Sequence, residues 1–187
     1  MDTTDWVVLA VVIGVLLVAA IAAGVYMGSR RRAGLRDRFG PEYDRTVGDS
    51  GSRRQAEREL RTREDQYRSL DIKPLSEASR ARYTEDWDHA ERLFVDDPEL
   101  AAREADRVVR NVLDERGYPD DDLETRTAAV SVDHPRVVQR YRHGHEMVHG
   151  NGAMESEQRT ENLRKAMVDF RAVFAEMVEP DQELATH

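Results

Sequence analysis

Cysteine is absent from this chain of 187 residues, which excludes disulfides and thiolate-bound metal. Small secreted domains commonly depend on disulfides, so the absence favours the cytoplasm for whatever part folds. Lysine occurs only at Lys73 and Lys165, and arginine carries the rest of the positive charge. That skew matches the codon bias of a GC-rich genome and carries no chemistry. Positive charge is also short overall: 28 basic side chains stand against 37 acidic ones, a net charge of -9, and the excess acid lies beyond residue 73. An acidic distal surface excludes nucleic acid as a partner, because phosphate contact needs a basic face. Strand patterning is lacking too. No segment alternates apolar and polar residues over the length of a strand, so the expected fold is all-α.

Charge of either sign is missing from residues 6–29, WVVLAVVIGVLLVAAIAAGVYMGS. At about 1.5 Å of rise per helical residue, this run spans a hydrocarbon core of roughly 30 Å. Trp6 and Tyr26 stand near its ends, where amphipathic rings favour the interface. Asp2 and Asp5 precede it, and Arg30-Arg31-Arg32 follows at once. A cleaved signal peptide has a basic start and a shorter apolar core. The run therefore reads as a retained single-pass anchor, with the N-terminus outside and the C-terminal mass in the cytoplasm.

Six further segments carry helix grammar. Residues 52–70 form a very polar stretch with Glu57/Arg61 and Glu59/Arg63 as acid-before-base pairs one turn apart. Pro74 interrupts, and Ser76 can cap the next helix, whose Tyr83, Trp87, Ala90 and Phe94 share one face. Asp97-Pro98-Glu99 starts another that ends at Gly117, by cap, first-turn proline and left-handed glycine. Asp120-Asp121-Asp122 restarts the chain. These acids lack the alternating spacing of a calcium loop and read as a cap. Asp133-His134-Pro135 is expected to cap a helix buried through Val137, Val138, Tyr141 and Val148. Leu163, Met167, Phe170, Phe174, Met177 and Val178 mark the last helix. The expected domains are a tail (1–5), a transmembrane helix (6–28), a basic juxtamembrane linker (29–51), a polar stalk helix (52–73), a compact multi-helix bundle (74–179) and a second tail (180–187).

One motif carries chemistry. His145-Glu146-Met147-Val148-His149 matches H-E-x-x-H. On a helix the two histidines lie one turn apart and can share a Zn²⁺ ion, with Glu146 as general base on a bound water. Glu155 is a candidate third ligand. Against this, short motifs arise by chance. Arg140, Arg142, His143 and Gly144 are poor company for a buried zinc helix. Gly150-Asn151-Gly152 places His149 at a fraying end, and no strand is present to hold an extended substrate. The expectation is therefore no catalytic, cofactor or metal residue. A zinc-dependent hydrolase using His145, Glu146 and His149 stands as the alternative, and a pH response of His134, His143, His145 and His149 as a third reading.

The segments RDRFGPEYDRTV, DIKPLSEASRARYTEDW, FVDDPELAAREADRVVRNVLDERGYP, SVDHPRVVQRYRHGHE and TENLRKAMVDFRAVF together resemble an uncharacterised actinobacterial family of single-pass membrane proteins, whose members are described as hypothetical or secreted proteins. The resemblance covers nearly all of the chain after the anchor. It implies a bacterial protein of unassigned activity, no functional residues to carry over, and no fixed histidine at position 149. Together these readings predict a membrane-anchored, non-enzymatic interaction or scaffold module at the inner membrane. Its partners would be the membrane and either another protein or a second copy.

Overall fold

The computed structural model describes residues 3–150 and 156–179, with the side chains of residues 3–12, 15 and 31 outside that description. Among the described residues the fold is all-helical, with no strand. The helices are α1 (Thr3–Phe39), α2 (Pro41–Asp49), α3 (Arg53–Tyr67), α4 (Glu77–Leu93), α5 (Pro98–Arg116), α6 (Leu123–Asp133), α7 (Val138–His149) and α8 (Ser156–Val178). They form two compact units, residues 1–38 and 39–187.

In the first unit, Leu16, Leu17, Val18, Ile21 and Val25 are all well exposed. Three consecutive positions point in three directions around a helix, so apolar surface faces outward on every side. Among the described residues no helix is long and apolar enough to cross a membrane. The expected span over residues 6–28 falls partly on side chains outside the described set.

The second unit is built on α4, α5, α7 and α8, whose mutual packing dominates it. The expected aromatic face is core: Tyr83, Trp87 and Ala90 are buried, and Trp87 stacks on Phe174 with ring centroids 4.9 Å apart. The apolar set of α8 is buried throughout. Local starts and stops follow the expected chemistry. Ser76 accepts from Ser79 N–H, Asp97 from Leu100 N–H and Asp122 from Thr125 N–H. Gly117 takes φ +98°, and a Cβ there would meet the Asp71 carbonyl oxygen at 2.4 Å.

Two expectations on boundaries need correction. Residues 41–49, expected as linker, form α2, and the stalk helix packs: Ala56 and Leu60 are buried, and α3 lies against α2 and α6. Glu42, fully buried, ties these segments to α7. It accepts hydrogen bonds from Arg63 on α3 (3.0 Å), from Arg45 (3.2 Å), and from Gln139 (2.6 Å) and Arg142 (2.8 and 3.0 Å) on α7. Burial alone would raise its carboxyl, but the guanidiniums more than offset that and hold it below the ordinary range. A charge this deep is stable only with such partners. The second correction is Asp133. It closes α6 and accepts a hydrogen bond from the Tyr67 hydroxyl, while α7 begins at Val138 with no side-chain cap.

Candidate functional site

The H-E-x-x-H segment lies on α7, which packs most closely against α8. Its neighbours are not stray surface groups. Arg142 reaches Glu42, and His143 Nδ1 pairs with Asp169. Gly144 is buried where a Cβ would come within 2.9 Å of the Phe170 ring. Glycine there allows the close approach of α7 to α8, so the residue that looked out of place in a buried helix is what lets it be buried. The end of α7 does not hang free either. Arg159 on α8 donates from Nη1 to the Met147 carbonyl (2.7 Å) and from Nη2 to the Val148 carbonyl (2.9 Å), while Glu99 on α5 accepts from Arg159 Nε at 2.6 Å. The terminal carbonyls of a helix need such donors. His149 is the last residue of α7, as expected, and this clamp holds the two carbonyls before it.

His145 and His149 do face the same way, with ring centroids 4.3 Å apart. Among the described residues their group has a third member that the motif does not contain. It is Asp106 on α5: one ligand atom from each of Asp106, His145 and His149 can be chosen so that all three lie within 4.8 Å of one another. Glu146 is exposed and stands outside the group. Glu155, Asn151 and Gly152 lie outside the described residues.

Asp106 is 1% exposed. Its Oδ2 accepts from His149 Nε2 at 3.0 Å, and Arg110 Nε sits 3.3 Å from the same oxygen without hydrogen-bond alignment. Its Oδ1 is buried and has no hydrogen-bond partner. A carboxylate oxygen left so is costly and rare in folded proteins. Burial lowers the His145 pKa below the usual histidine value; Asp106 opposes that shift, and His149, Arg110 and Arg126 reinforce it. Neutral imidazole is the form that binds metal. Two imidazoles and a carboxylate are a ligand set suited to a divalent ion of the zinc class.

The remaining histidine of the expected pH cluster is apart: His134 Nδ1 pairs with Glu176 at 3.0 Å. Sequence reasoning missed Asp106, yet a signal was there. Ala102, Ala105, Val109, Val112 and Leu113 make the buried stripe of α5, and Asp106 falls inside it. A charged residue on a core-facing stripe needs a partner, and that question points to α7.

Compared with known proteins, the chain matches no family model, no curated protein and no solved structure.

Proposed function

We propose that this chain is a single-pass protein of the bacterial inner membrane, with its N-terminus outside and its helical bundle in the cytoplasm. It works by binding another protein or a second copy of itself, without catalysis. The observation that carries the reading is the uncharged run of residues 6–29 closed by Arg30-Arg31-Arg32. The outward-facing Leu16, Leu17, Val18, Ile21 and Val25 support it, since lipid is the solvent that suits a helix apolar on every side. The zinc-hydrolase alternative retains His145 and His149 in one group, but no strand among the described residues offers an edge to hold an extended substrate, which favours the non-catalytic reading.

Two experiments test the proposal in cells. The full chain should stay in the membrane pellet after an alkaline carbonate wash, and the bundle should resist added protease in intact spheroplasts. Release by carbonate would remove the anchor, and digestion of the bundle would reverse the topology. Cross-linking in those membranes should then trap a partner or a dimer; robust hydrolytic turnover by the purified protein would overturn the non-catalytic assignment.

A further inference from the structure

We infer that Asp106, His145 and His149 form a binding site for one divalent transition-metal ion of the zinc class, fastening α7 to α5. Three observations meet there. The two imidazoles are presented from one face of one helix. A carboxylate from a different helix stands opposite them, and the three ligand atoms lie within 4.8 Å of each other. That carboxylate is almost wholly buried and keeps one oxygen without a hydrogen-bond partner.

The geometry is close to what the ion requires. Bonds of about 2.0–2.1 Å in a tetrahedral site place ligand atoms about 3.4 Å apart. The His149–Asp106 pair is already at 3.0 Å, held by a shared proton. On binding, His149 Nε2 turns from Oδ2 to the ion at Oδ1, and the neutral ring carries its one hydrogen on Nδ1. No separation exceeds 4.8 Å, so each closes by at most about 1.4 Å to reach that geometry. Three protein ligands leave one position for water.

The donor set selects the metal class. Imidazole nitrogens suit zinc, cobalt, nickel and copper, whereas magnesium and calcium prefer an all-oxygen shell. Arg110 Nε, 3.3 Å from Asp106 Oδ2, is the opposing charge at the site. It lies beside the oxygen that faces His149 and leaves Oδ1 for the ion. The Arg159 clamp on the carbonyls of Met147 and Val148 holds the helix end that carries His149. The role is a cross-link between helices.

The test uses the full chain in detergent micelles, stripped of metal and titrated with Zn²⁺ against a chromophoric chelator, then with Co²⁺. We expect one Zn²⁺ per chain, the visible absorption of tetrahedral Co²⁺, and a melting midpoint raised by about 5–10 °C at a hundredfold excess over Kd. His149→Ala, at an exposed position, should fold and lose at least tenfold in affinity together with the cobalt band. Asp106→Asn should do the same. Glu146→Gln should leave stoichiometry and affinity unchanged. Absence of stoichiometric zinc in the wild type overturns the site, as does binding that survives both His149→Ala and Asp106→Asn. Loss on Glu146→Gln would also overturn it, by moving the ligand set.

Discussion

Glu42 concentrates more of the bundle's electrostatics than any other described side chain. Three guanidiniums and one amide converge on a carboxylate with no exposure to water. The donors come from α2, α3 and α7, so a single side chain joins three helices. Removing one partner of a buried charged network costs about 3–5 kcal/mol, because the others are left uncompensated. Glu42→Gln should therefore lower the urea midpoint substantially at pH 7. The pH dependence has a definite sign. The folded carboxyl titrates below its unfolded value of 4.5. Its stabilisation is complete above that value and is lost as the pH falls through the folded pKa. Wild-type unfolding free energy should decline steeply below pH 4.5, and Glu42→Gln should show a shallower decline. Equal slopes would remove Glu42 as the acid-sensitive group. Nothing in PEYDRTV announces this role. Glu42 sits in a short polar segment with glycine on both sides, and its partners lie up to 100 positions away.

The helices divide by how local their causes are. Asp97-Pro98 and Gly117 bound α5 through bonds made within a few residues, so they are readable in order along the chain. α7 is different. It begins without a side-chain cap, carries Gly144 in its middle and ends at Gly150. By local propensity it is the weakest helix of the core; packing against Phe170 and Tyr141's contact with that ring secure it. Gly144→Ala tests this. Helix propensity alone would return up to about 1 kcal/mol. Overpacking against a buried aromatic ring costs about 1–3 kcal/mol. Phe170 has no exposure, so its ring cannot swing aside into solvent. The variant should melt below the wild type in differential scanning calorimetry, and a higher midpoint would show that α7 has room to move away from α8. The same reasoning explains α2 and α3. Their apolar edges are thin, and their burial rests on ion pairs to distant helices.

For the molecule as a whole, the uncharged run and the bundle differ sharply in composition. Residues 6–29 lack charge altogether, whereas the bundle is acidic and presents its polar faces to water. The proposed orientation rests on Arg30, Arg31 and Arg32 against Asp2 and Asp5. Replacing the three arginines by asparagine while changing both aspartates to arginine should invert it. An alkaline-phosphatase reporter fused after residue 187, active only outside the inner membrane, should be silent in the wild type and active in the variant. Activity in both would show that the bundle is exported whatever the flanking charge.

Helix content, most caps and stops, the core faces of α4, α5 and α8, and the uncharged run were all determined by the chain's order of residues. Each depends on neighbours within one or two turns. Asp106 beside His145 and His149, Glu42 among Arg63 and Arg142, and Gly144 under Phe170 were decided only by tertiary structure. Each joins positions 21 to 100 residues apart. Helical periodicity states which face of a segment is buried. It does not state which other segment that face meets, and a buried charge takes its meaning from what it meets.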